Sequence, residues 1–216
     1  MLFIAGFLSS SVQAQDKAMD KITASTKVIR EFSNMKEKIP QQLFAVTQGI
    51  IIIPKMINAG LVLAGKRGKG IAMVKLADGT WSNPVFVTLT GGSVGFQAGV
   101  QSVDLVLIFK SRTTLENIGT GSFTLGGDVS VTAGPVGRNS TASTDYKLEA
   151  EVYSYSKSKG LFAGISLSGS ALDVDKKTNA GFYKEETDAK TLFADGTRDT
   201  SAATTELKQV LNSLFL

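Results

Sequence analysis

The sequence contains neither cysteine nor histidine. Without cysteine there is no disulfide, no thiol nucleophile and no lipoprotein-type acylated cysteine. Without histidine the commonest general base and the commonest transition-metal ligand are missing. Together the two absences exclude Ser-His-Asp and Cys-His triads and Cys/His zinc sites, leaving carboxylates and lysines as the reactive inventory. Proline is scarce as well, four residues against 22 glycines. That balance fits many short strands with tight turns, not a proline-rich linker. No run beyond the N-terminus reaches the roughly 18 apolar residues of a spanning helix. A strong charge of one sign is also lacking. Twenty-three Lys and Arg against 19 Asp and Glu leave a net +4, compatible with an anionic membrane surface but too weak to argue for nucleic acid.

What is present is enough for a core. The chain has 216 residues, 43% of them hydrophobic, which permits one domain with appendages. Residues 1–14 join a short apolar run to Val12-Gln13-Ala14. This is the pattern of a secretory signal peptide, although no Lys or Arg precedes the run; the alternative is a buried N-terminal segment. The signal-peptide reading predicts export to a periplasm or cell envelope. Residues 15–38 predict an amphipathic helix, with Met19, Ile22, Ile29 and Phe32 near one stripe and Val28 and Met35 beside it. Lys17, Lys21, Lys27, Arg30 and Lys36 are nearly balanced by Asp16, Asp20, Glu31 and Glu37. The stripe therefore suits packing on the domain better than lying on lipid.

A β-rich core is predicted over residues 39–183. Gln41–Thr47 reads as a short helix, and Ile50–Ile53 as a strand buried on both faces and ended by Pro54. Gly60–Gly70 reads as a hairpin of strands 60–65 and 70–76, with Lys66, Arg67 and Lys69 on its turn. A Walker-type phosphate cradle fails there, because no Ser or Thr follows Gly-Lys and a strand follows instead of a helix. Asp78-Gly79 marks a turn, and Trp81 reads as a core residue. Segments 85–90, 91–101 and 103–109 predict three strands, the second with a face of glycines and glutamines suited to close packing. Asp104 is expected to bond a turn or to pair with a base. A short helix at 113–118, a Gly126-Gly127-Asp128 turn, a strand at 129–133 and a polar loop at 138–145 follow. Residues 184–216 predict a helical tail, with helices at 185–193 and 201–214; Asp199 or Thr200 can cap the second, which spaces Leu207, Val210, Leu211 and Leu214 on one side.

The stretch 147–183 organises the whole. Leu148, Ala150 and Val152 alternate with Glu149 and Glu151, the period of a half-buried strand. Lys157-Ser158-Lys159-Gly160 reads as a turn, after which Leu161, Ala163, Ile165 and Leu167 alternate with Phe162, Gly164, Ser166 and Ser168. The expectation is a hairpin with two lysines at its tip. Glu149 and Glu151 are paired acids of the kind glycoside chemistry uses, but a solvated strand face explains them better. The sequence holds no nucleophile–base pair, metal cluster or cofactor fingerprint, so a protein that is not an enzyme and takes no cofactor is expected.

The same words, Tyr153-Ser-Tyr-Ser-Lys157-Ser-Lys159-Gly160-Leu-Phe162-Ala-Gly-Ile-Ser166, resemble the signature of the SYLF domain family. The resemblance runs in order through Ile39-Pro40, Gly49-Ile50, Pro54, Gly65–Gly70, Asp78–Ser82, Gly95–Gly99 and Asp104–Leu107. It implies lipid binding, as in the family's bacterial members. Its yeast and animal members bind phosphoinositides and in some cases actin, but the resemblance does not carry phosphoinositide specificity over to a chain with an export-type leader, nor would an exported chain meet actin. The fold expected is a single α+β domain, mainly antiparallel β-hairpins packed with N- and C-terminal helices. The expected partner is an anionic phospholipid or other acidic lipid at a membrane surface, bound peripherally. Lys66, Arg67, Lys69, Lys157 and Lys159 would attract its headgroups, each worth about 1 kcal/mol near an anionic surface, and Phe162 would insert. The alternative is an envelope protein partner or self-association through the glycine-rich sheet.

Overall fold

A computed structural model describes residues 5–35, 39–60, 63–94, 99–121, 123–135, 148–162 and 165–215. The polar loop predicted at 138–145 lies outside them. Among the described residues the strands are β1 (Gly49–Gly60), β2 (Leu63–Val74), β3 (Val85–Val94), β4 (Gly99–Phe109), β5 (Phe123–Leu125), β6 (Val131–Ala133), β7 (Val152–Ser158), β8 (Leu161–Phe162) and β9 (Ser170–Val174). They form one sheet in the order β5-β9-β3-β2-β1-β4-β7-β6, with β8 on β7. Its pairings are antiparallel except β6 with β7. The helices are α1 (Ala5–Ser33), α2 (Gln41–Ala45), α3 (Arg112–Glu116), α4 (Lys176–Tyr183), α5 (Ala189–Ala194) and α6 (Ala202–Phe215). The chain is thus a single α+β domain.

Strand alternation sorts the core into two faces. Ile50, Ile52, Ile71, Met73, Phe86, Val106 and Ile108 meet Ile22, Ile29 and Phe32 of α1 and Leu207, Leu211 and Phe215 of α6. This is the helix face. The intervening residues Ile51, Ile53, Ala72, Val74, Val85, Leu105 and Leu107 meet Leu115, Ile118, Leu192 and Phe193 on the opposite, loop face. The stripe predicted on the N-terminal helix therefore packs on the domain. Ser25 and Thr26, buried in that stripe, donate to the carbonyls of Lys21 and Ile22 within the helix, which satisfies their hydroxyls. The segments read as leader and as amphipathic helix share this one helix.

Pro54 does not end the strand. β1 continues to Gly60 through a bulge: against β2 the register passes from Ile52↔Ile71 to Ile57↔Arg67, one extra residue on β1. Lys55 takes φ 51° there, and its amide donates to Asp104 Oδ1 at 2.9 Å. Asp104 thus bonds a bend in the backbone, as expected. β2 is correspondingly one unbroken strand, so Lys66-Arg67-Gly68-Lys69 lies mid-strand and not on a hairpin turn. The glycines there give clearance. A Cβ on Gly68 would sit 2.4 Å from the Ile53 side chain, and one on Gly70 only 2.0 Å from the Ile52 carbonyl oxygen.

Other expectations shift in register. Segments 85–109 make two long strands, not three, with 91–94 completing β3 and 99–101 opening β4. Leu148–Ala150 carries no strand; β7 begins at Val152 and is buried on both faces up to Lys157. Beyond Phe162 the described part of 161–167 is not strand either. Of the two acids expected on an exposed face, Glu149 is exposed, while Glu151 is half-buried and accepts from Thr114 Oγ1 at 3.0 Å. In the tail, α4 was not foreseen, and the helix predicted at 185–193 starts only at Ala189, after the cap at Asp188. The last helix stands as expected; its cap is Ser201, whose Oγ accepts from Thr204 N at 3.3 Å, while Asp199 holds Ser201.

Candidate functional site

Alternation decides the fate of the predicted bases on β2. Lys66 points to the loop face, is 4% exposed, and donates from Nζ to the Ser166 carbonyl. Burial lowers its pKa. Arg67 and Lys69 point the other way and are exposed. Lys157 is a strand residue, not a turn residue, and is 7% exposed. It pairs with Glu31 of α1 and with Asp104 at 3.7 Å, and its ammonium lies 5.8 Å from the centre of the Phe32 ring. It fastens α1 to the sheet. Lys159 alone sits on the β7–β8 turn, exposed, with φ 50° followed by Gly160 at 81°. Phe162 is half-buried, its ring centre 5.8 Å from Phe32 and 6.3 Å from Tyr155. The structure therefore joins Arg67 with Lys69, turns Lys66 to the other side, uses Lys157 and Phe162 in packing, and leaves Lys159 on a separate hairpin.

Around Lys69 the helix face opens into a cleft of about 510 Å³ between α1, β2, β3 and the start of α4. Four lysines line it, Lys17, Lys21, Lys69 and Lys177, with one carboxylate, Asp175. Lys17 and Lys21 fall on the same flank of α1 through their i,i+4 spacing, beside the buried Ala18 and Ile22. The acids Asp16 and Asp20 lie roughly opposite that buried stripe, toward solvent, at 100° per residue. The cleft floor is fixed by α4. Asn179 accepts from the Phe86 amide and donates to the Phe86 carbonyl, both at 3.0 Å. Asp175 caps α4 by accepting from Thr178 N at 3.1 Å.

The charges in the cleft are incompletely neutralised. Lys69 Nζ meets Asp175 Oδ2 at 2.6 Å. Burial pushes the Asp175 carboxyl up, but the hydrogen bonds from Lys69 and Thr178 outweigh it and hold the pKa below the usual carboxylate value. Lys21 is lowered first by burial and then by the like charges of Lys69 and Lys55. A lysine lowered by neighbouring lysines marks a surplus of positive charge, which a bound anion would relieve. Arg67 and the bulge residue Lys55 extend this surplus along the sheet. Sequence reasoning missed Lys17, Lys21, Lys55 and Lys177. The i,i+4 pair on one flank of the stripe was a readable signal; Lys55 and Lys177 depend on the bulge and on α4.

Fold and site together define a class: a single α+β domain that presents a lysine-rich cleft between its helix layer and its sheet. The profile of the Ysc84 family, described as Las17-binding protein actin regulator, matches residues 90–214, and the chain belongs to that family, the SYLF domain family its sequence resembles. It is 37% identical over 209 residues to an SH3 domain-containing protein of Schizosaccharomyces pombe, across 95% of this chain and 48% of that one. It is 37% identical over 197 residues to SH3 domain-containing YSC84-like protein 1 of Bos taurus, across 88% and 57%. With LAS seventeen-binding protein 3 of Saccharomyces cerevisiae it shares 34% over 187 residues, across 85% and 40%. The chain thus spans about half the length of the curated relatives it matches. The names of family and relatives describe binding and regulatory proteins, not enzymes.

Proposed function

We propose that this domain binds anionic lipid headgroups at a membrane surface, peripherally and without catalysis. The observation that carries the reading is the cleft of Lys17, Lys21, Lys69 and Lys177 with a single carboxylate, continued by Lys55 and Arg67 on the same face. With Lys69 offset by Asp175, five bases at about 1 kcal/mol each give roughly 5 kcal/mol, a sub-millimolar affinity. Lys159 adds a further contact from the β7–β8 turn. Lys66 and Lys157 leave the proposed site, since burying each of them in the fold keeps it from a headgroup.

The test is co-sedimentation of the full chain with neutral and anionic vesicles at low and high salt. Changing Lys17, Lys21, Arg67, Lys69 and Lys177 to Ser is expected to lower anionic-vesicle binding by more than tenfold. Lys66→Met is expected to change it less than twofold. Equal binding to neutral and anionic vesicles, indifferent to salt, would overturn the headgroup reading.

A second reading has its own support. The family description and one relative's name state Las17 binding of those proteins, so a protein partner is the alternative occupant of the same basic surface. Binding to a protein partner that persists at high salt, with no sedimentation on any vesicle, would favour it.

A further inference from the structure

The headgroup reading leaves an energetic gap, since charge alone supplies only weak attachment, and the far end of the sheet offers what is lacking. Among the described residues four large apolar side chains are exposed, and three of them, Ile57 at 42%, Val100 at 76% and Leu161 at 73%, lie at that end on β1, β4 and β8, with β7 between the last two. We infer that Ile57, Val100 and Leu161 form an insertion edge that enters the acyl region of an anionic bilayer while the basic cleft holds its headgroups. The inference rests on the lipid reading above.

The register builds the edge. Arg67 pairs with Ile57, and Ile57 with Ser102. Val100 stands two residues along β4 from Ser102, which puts it on the same face as Ile57. Ser158 donates from Oγ to the Ser102 carbonyl at 3.3 Å and pairs with Leu161. Alternation from Lys157 and Phe162, which face α1, turns Leu161 to the opposite face of the sheet from Ile57 and Val100, so the edge carries apolar side chains on both of its sides. The row from Arg67 to Leu161 thus crosses four strand spacings, roughly 19 Å. A base stands at each end, Arg67 on β2 and Lys159 on the turn before Leu161, both exposed. Apolar side chains flanked by cations match a bilayer interface, where acyl chains lie beneath anionic headgroups. The bases also choose between occupants. A second copy of this chain would bring Arg67 and Lys159 against a surface that is itself net positive, whereas an anionic bilayer complements them.

The full chain provides a clean optical test, because its single tryptophan, Trp81, is 1% exposed and contributes a constant background. Val100→Trp and Leu161→Trp are each mixed with vesicles containing an anionic phospholipid, with and without brominated acyl chains. A blue shift and bromine quenching at both positions are expected. Changing Ile57, Val100 and Leu161 together to Ser is expected to weaken vesicle partitioning roughly 10- to 100-fold, in proportion to the apolar area withdrawn. These are surface substitutions, and circular dichroism checks the fold of the variant.

If the introduced tryptophans stay solvent-like on vesicles that bind the chain, or the triple variant binds like wild type, the insertion edge is wrong. The headgroup cleft then stands or falls on its own lysine variant. If the full chain binds no vesicle, both readings fall. If the triple variant instead converts a dimer to a monomer in analytical ultracentrifugation without lipid, the edge is a contact between copies and the inference is overturned.

Discussion

Four consecutive residues show how much one position decides. In Lys66-Arg67-Gly68-Lys69 the side chains alternate between faces, so Lys66 is spent inside the fold and Arg67 and Lys69 reach solvent. Asp175 sits between two duties, capping α4 and restraining Lys69. Asp175→Asn separates them, because Asn caps a helix about as well as Asp but does not neutralise an ammonium. Releasing Lys69 is expected to tighten anionic-vesicle binding by about fivefold, from roughly 1 kcal/mol per freed base. The stability cost should stay below about 1 kcal/mol, since the lysine partner is half exposed and water screens the pair. The sign with pH follows from the direction of the shift. The folded carboxyl is held below its ordinary 3.8, so its contribution is complete above that value and disappears as pH falls through the folded pKa. Denaturant melts of wild type and variant should therefore converge in acid, while vesicle titrations near neutrality should separate them. Unchanged affinity would take Lys69 out of the headgroup contact.

Among the elements, those set by local chemistry were legible and those set by a neighbour were not. The last helix announces itself through Leu207, Val210 and Leu211 at helical spacing, and the Asp78-Gly79 turn forms where its sequence says, with Gly79 at φ 83°. Gly65–Gly70 misled because glycine and charge together signal a turn. Gly68 and Gly70 answer instead to the bulged strand β1, a partner no local pattern reveals. The helix α4 was missed for a related reason: Lys176–Tyr183 has only a weak apolar stripe and is held by Asn179 on β3. The basic cleft inherits this division, since Lys69 was legible as a surface base but its companions were gathered by packing. The clearance argument makes a paired prediction. Gly70→Ala forces a Cβ onto the Ile52 carbonyl and is expected to cost about 3 kcal/mol or to prevent folding, the upper range for overpacking. Gly65→Ala meets no atom within 4 Å and should be neutral within about 0.5 kcal/mol. Urea midpoints for the two variants decide it; equal losses would mean that the glycines serve something other than the bulge.

At the scale of the molecule, a net charge of only +4 hides an uneven distribution. The fold withdraws some lysines from water and concentrates others at one cleft. Lys21, Lys66 and Lys208 all have pKa values lowered from the ordinary 10.5, burial being the first cause in each; for Lys208 it prevails over the opposing charges of Asp199 and Asp195. A lysine lowered in the folded state sheds its proton there while the unfolded chain still holds one. The unfolded state then binds more protons, and stability rises with pH between the folded value and 10.5. Equilibrium urea unfolding should therefore show a higher stability at pH 9.5 than at pH 7, opposite to what loss of lysine ion pairs would produce. Lys66 is the sharpest probe, because burial is its only cause of shift and its bonded partner is a carbonyl, not a carboxylate. Lys66→Met is expected to flatten part of the alkaline rise while leaving vesicle binding intact. Lys69→Met should do the reverse, lowering vesicle binding while keeping the part of the rise that Lys66 contributes. If Lys66→Met weakened vesicle binding as much as Lys69→Met does, the separation of the two faces would not govern function, and the internal lysine would belong to the site.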